Sequence, residues 1–105
     1  LETEQVLLLV IDGKNALSQE IVISNGSFNA SAAAPREIFY QALKHKAVNI
    51  IVLHNHPSGD PSPSQGDMLA TKRIRDVGHM IGIELLDHIV IGDNRYISFR
   101  ESGYL

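Results

Sequence analysis

The chain has 105 residues, 44% of them hydrophobic and 20% charged, a size and composition that fit one globular domain with one core and leave no room for a second. It has no cysteine, which excludes disulfides, thiolate metal sites and a cysteine nucleophile, so any metal must be held by His, Asp or Glu. The formal charge of −3 lacks the basic footprint of a nucleic-acid binder, no apolar run approaches the ~18 residues of a membrane span, and the absence of cysteine suits a reducing cytoplasm.

Gln5 to Ile11 is a compact apolar run closed by Asp12-Gly13-Lys14-Asn15, and Ala16 to Ser24 follows, so the opening reads as a β-hairpin. Asn25-Gly26 marks a further turn, and Ser27 to Ala30 a short third strand. Pro35 fits the first turn of a helix running to Lys46, with Ile38, Phe39, Ala42 and Leu43 forming its apolar stripe. Val48 to Leu53 is dense in β-branched residues and reads as a central strand covered on both faces. The segment HNHPSGDPSPSQGD carries three of the four prolines and must be a loop.

Ser64, with Asp67 three residues on, has the spacing of a capping box and predicts a helix from Gln65 to Val77, stopped by Gly78. Met80 to Leu86, His88 to Ile91 and Tyr96 to Phe99 read as the last strands. Strands alternating with two helices, after a hairpin, predict an α/β fold with a mixed sheet.

His54 and His56 stand two apart where the Val48–Leu53 strand ends, so alternation along an extended backbone sends both imidazoles to one side. Asp67 opens the next helix, and the Pro/Gly loop can fold back to bring its carboxylate beside the rings. A His, His, Asp set suits zinc and leaves a fourth position for water, which is the arrangement of a catalytic site. A base for that water is sought among Glu4, Glu20, Glu37 and Glu84, which spacing does not separate. Ser64 has two readings, as helix N-cap and as a hydroxyl for an oxyanion. Structural roles are expected for His45 on a helix surface, His79 in a turn and His88 near the sheet edge or the site. Lys72, Arg73 and Arg75 read as a solvated face.

His54-Asn55-His56-Pro57-Ser58-Gly59, then Pro63-Ser64, then Asp67, resembles the core motif of JAMM (MPN+) metalloproteins, and within them RadC-like proteins. Pro35-Arg36-Glu37, Leu86 to Gly92 and Tyr96 to Phe99 support the likeness, which covers the whole chain. The resemblance implies a three-layer α/β fold like that of cytidine deaminases, one zinc ion per chain held by His54, His56 and Asp67, and Ser64 as oxyanion stabiliser. It implies Glu4 as the water-activating glutamate, with Glu2 as fallback. The deaminase's own His-x-Glu and Pro-Cys-x-x-Cys are absent, and no Asp-His follows His56 as a metallo-β-lactamase requires.

The expected activity is zinc-dependent hydrolysis of a peptide or isopeptide bond in a peptide or protein substrate. The alternatives are a DNA-repair-associated or nucleic-acid-binding module, suggested by the RadC label, and a protein-interaction scaffold without turnover; the acidic charge and the intact ligand set weigh against them. Residues 1–105 are expected to be one such domain, C-terminal in a longer protein and without the family's helix-hairpin-helix region.

Overall fold

The computed structural model describes residues 4–26 and 34–105. Strands β1 (Glu4–Ile11) and β2 (Leu17–Gly26) are followed by α1 (Ala34–Lys44), β3 (Asn49–Asn55), α2 (Gln65–Ile81), β4 (Glu84–Gly92) and β5 (Arg95–Ser98). The five strands form one sheet in the order β2-β1-β3-β4-β5. Only the β3–β4 pair is parallel, because α2 carries the chain back across the sheet between them; the other neighbours are antiparallel. The expected α/β class with a mixed sheet is therefore what the chain adopts.

Alternation decides which face is covered. Val6, Leu8 and Val10 of β1, with Ile50 and Val52 of β3, are almost fully buried and pack with Ile38 and Phe39 of α1 and Ile74 of α2. Both helices lie against this face and meet where the Phe39 ring approaches Gly78. Ile51 and Leu53 point the other way and are only half-buried, so the expected cover of β3 on both faces is complete on one face alone. Among the described residues the fold thus shows two layers, a sheet and a pair of helices.

The β1–β2 turn forms as expected: the Asp12 carboxylate accepts the N–H of Lys14 and of Ala16, and Asn15 takes a φ of 65°. Asn25-Gly26 is not a turn but the end of β2, where both residues pair with Gln5 and Glu4; a partner strand of sufficient length overrides local turn preference. The strand expected over Ser27 to Ala30 lies outside the described residues. Helix α1 ends at Lys44, before Lys46 takes a φ of 56°, and Leu43, expected in the stripe, is exposed because Ala42 and Phe39 fill the contact with the sheet.

Gly78 does not stop α2. It is buried within the last turn of the helix, where an added Cβ would stand 2.2 Å from the carbonyl oxygen of Ile83, so its smallness serves close packing. The stop is Gly82, left-handed at φ 80°. Consequently Met80 and Ile81 are helical rather than extended, and the two expected strands on either side of Asp87 are one continuous strand, β4.

Candidate metal centre

Strand β3 delivers the first candidate ligand. His54 follows Ile50 and Val52 on the covered face, at the C-terminal end of a central strand, and is 3% exposed. His56 lies just beyond the strand, its ring edge-on to that of His54 with centroids 4.9 Å apart. Asp67 comes from the first turn of α2 and is 2% exposed. The expected capping box brings it there: Ser64 Oγ accepts the Asp67 N–H at 3.0 Å, and the Asp67 carboxylate accepts the Ser64 N–H at 2.8 Å.

The three side chains converge. Asp67 Oδ2 stands 2.9 Å from His56 Nε2 and Asp67 Oδ1 3.4 Å from His54 Nδ1, and one ligand atom from each residue falls within 4.8 Å of the others. Zinc bonds of about 2.0–2.1 Å at tetrahedral angles would set ligand atoms ~3.3 Å apart, and the two carboxylate–imidazole separations lie near that value.

Hydrogen bonding strengthens that fit. His56 Nδ1 lies 3.0 Å from the carbonyl oxygen of Asp60, which can only accept, so Nδ1 carries the proton and Nε2 presents a lone pair in the neutral ring. That lone pair faces a carboxylate oxygen at 2.9 Å. Two acceptors at this distance repel unless a proton or a cation lies between them, and the donor set suits a divalent ion. Burial disfavours ionisation of Asp67, but its other contacts, the Ser64 N–H foremost, outweigh it and hold the carboxyl below its usual range. The residue therefore offers the charged form that a metal needs.

The loop between His56 and Asp67 is fastened to the β4–β5 turn. His56 N–H donates to the Ile91 carbonyl at 2.9 Å, and Asp93 N–H to that of Gly59 at 2.9 Å. Gly59 takes a φ of 88°, and a Cβ on Gly92 would stand 2.2 Å from the Gly59 oxygen. Two glycines thus permit the contact that seats His56.

Of the candidate bases, Glu84 pairs with Asn49 at the opposite end of β3 from His54. Glu20 is exposed on β2 opposite Leu9, and Glu37 is exposed in the first turn of α1. The backbone of Glu4 lies two residues before Val6, the register partner of His54, and the intervening Gln5 N–H donates to the Asn55 side chain at 2.5 Å. Glu4 therefore starts its strand at the His54 end of the sheet; Glu2 lies outside the described residues. Ser64 is exposed, and its hydroxyl oxygen accepts the Asp67 N–H.

His79 lies in the last turn of α2, not in a turn of its own, and is exposed; His45 is half-buried just past α1, its ring bonded to the Gln41 carbonyl. His88 stands behind the site, 3% exposed, stacked against His54 with centroids 6.0 Å apart and against Phe99 at 4.5 Å. Its Nδ1 is 2.5 Å from Thr71 Oγ1, and its Nε2 has no hydrogen-bond partner among the described residues. Burial foremost, then the neighbouring His54, pushes its pKa down to about 4. Thr71 escaped sequence reasoning, although it follows Asp67 by one helical turn.

A profile described as the RadC-like JAB domain matches residues 1–104. A UPF0758 protein of Pelobacter propionicus is 49% identical over 102 residues, which are 97% of this chain and 44% of that protein. One of Methanosarcina mazei is 46% identical over the same shares. A third, of Clostridium perfringens, is 49% identical over the whole chain and 46% of its own length. The chain spans less than half the length of these curated relatives. Among the described residues, no helix is long and apolar enough to cross a membrane.

Proposed function

The chain belongs to the RadC-like JAB domain family, and from that premise we propose that it is a zinc-dependent hydrolase cleaving a peptide or isopeptide bond. The observation that carries this reading is the convergence of two imidazoles and a buried carboxylate at the C-terminal end of a sheet strand. His54, His56 and Asp67 would hold the ion, three protein ligands being the number that leaves a position open. When bound, the ion would supply Lewis acidity and lower the pKa of water.

The remaining work falls to the chain's own residues. Glu4 takes a proton from the attacking water as its oxygen bonds to the scissile carbonyl carbon, and returns it to the nitrogen as the C–N bond breaks. The start of β1 beside the His54 end of β3 supports this role. Ser64 donates its hydroxyl proton to the developing oxyanion, supported by its place one turn from Asp67. The Asp60 carbonyl holds the His56 ring in the tautomer that presents Nε2.

The test is zinc-loaded protein incubated with a peptide pool and with isopeptide-linked substrates, products being read by mass spectrometry. Cleavage by the wild type is expected, with loss in His56→Ala and a fall of ~10²–10⁴-fold in Glu4→Gln. Zinc-loaded wild type that cleaves no amide, or cleavage untouched by both substitutions, would overturn it.

A further inference from the structure

We infer that Thr71 and His88 are positioning residues for the metal ligands, coupling Asp67 and His54 through one buried contact chain; the inference rests on the metal-centre reading above. Thr71 Oγ1 lies 2.8 Å from the backbone carbonyl oxygen of Asp67 and 2.5 Å from His88 Nδ1. A hydroxyl has one proton and a carbonyl can only accept, so both contacts are hydrogen bonds in one arrangement alone: His88 Nδ1–H donates to Thr71, and Thr71 donates to Asp67. The first turn of α2, which carries Asp67, is thereby tied to β4, which carries His88.

The same His88 ring reaches the other ligand. It lies within 24° of parallel to His54 at 6.0 Å, and Phe99 stacks on it at 24° and 4.5 Å. Phe99 is fully buried, so the plate behind His54 is fixed. Register places it there as well, since His88 pairs with Val52, two residues before His54 on the neighbouring parallel strand. One imidazole therefore sets the plane of one ligand by its face and the turn of another by its edge.

A purely structural role would make the Thr71–His88 bond matter for stability alone. Positioning makes it matter for the metal, as partners behind metal ligands typically change affinity by ~10–100-fold. The experiment is a competition titration of zinc against a chromophoric chelator, with cobalt(II) absorption as a spectroscopic readout of ligand geometry and urea unfolding of the metal-free protein in parallel. Wild type, Thr71→Val, Thr71→Ser and His88→Gln are compared, with Ile74→Ala as a control that opens the core on the same helix without touching the chain of contacts.

Thr71→Val and His88→Gln are expected to lose ~10–100-fold in zinc affinity and to alter the cobalt spectrum. Thr71→Ser restores both, and Ile74→Ala lowers the urea midpoint while keeping wild-type affinity. Wild-type affinity in Thr71→Val or His88→Gln, or an equal loss in Ile74→Ala, overturns the inference alone. A wild-type protein that takes up no metal overturns the metal-centre reading and this inference with it. Should Thr71→Val not fold, His88→Gln carries the same two outcomes.

Discussion

Gly92→Ala is the sharpest mechanical test of how the His56 loop is held. The new Cβ would lie 2.2 Å from the Gly59 carbonyl oxygen, 2.8 Å from its carbon and 2.9 Å from Pro61 Cδ, all parts of the loop rather than a flexible side-chain end. The loop must move away, which breaks the Asp93–Gly59 hydrogen bond of 2.9 Å and strains the His56–Ile91 bond beside it. One lost bond costs about 0.5–1.5 kcal/mol and overpacking about 1–3 kcal/mol, so the expected destabilisation is about 2–4 kcal/mol. With a urea m-value of ~1–2 kcal/mol/M for a domain of this size, the midpoint should fall by roughly 2 M without a change in m. Zinc affinity should fall too, since His56 travels with the loop. Gly13→Ala is the control: its Cβ meets only Val48 at 3.8 Å, and a shift within ~0.5 kcal/mol is expected. A Gly92→Ala protein with the wild-type midpoint and wild-type zinc affinity would refute the reasoning.

Asp67→Asn keeps the size of the side chain but not its charge, and should lower zinc affinity by more than tenfold in a chelator competition while the chain stays folded by circular dichroism. Ser64→Ala removes the acceptor for the Asp67 N–H, for an expected loss of ~1 kcal/mol in urea unfolding of metal-free protein. His88 gives a signed pH dependence. Its folded pKa of about 4 lies below the ~6.5 of the unfolded chain, so between these values the unfolded state binds more protons and stability falls as pH falls. The contribution is about 3 kcal/mol across that window, present in full above pH ~6.5, and should appear as the pH-dependent part of the difference between wild type and His88→Gln in metal-free urea titrations at several pH values.

Where local rules and the fold agree, the sequence was readable. The Ser64–Asp67 spacing announces a capping box because only short polar side chains at that interval can exchange bonds with two helix-end amides, and both bonds are present. The run through Ile50 and Val52 identified a central strand, and its period placed His54 and His56 on one side. Tertiary contacts account for what was misread. Gly78 looks like a helix stop, yet its missing Cβ admits the Ile83 carbonyl; Asn25-Gly26 looks like a turn, yet both residues pair with β1. Neither partner is adjacent in sequence. For the same reason the pairing of His88 with Thr71 carried no signal: 17 residues apart, they meet only because β4 lies parallel to β3 beneath α2.

The central claim is that His54, His56 and Asp67 form a metal centre, and the most direct measurement is the metal content of untagged wild-type protein and of His56→Ala, prepared identically and read by elemental mass spectrometry. About one zinc per chain in the wild type and little in the variant is the predicted result. A wild type that holds no metal and takes up none when zinc is added, or a His56→Ala protein that holds as much, would contradict it.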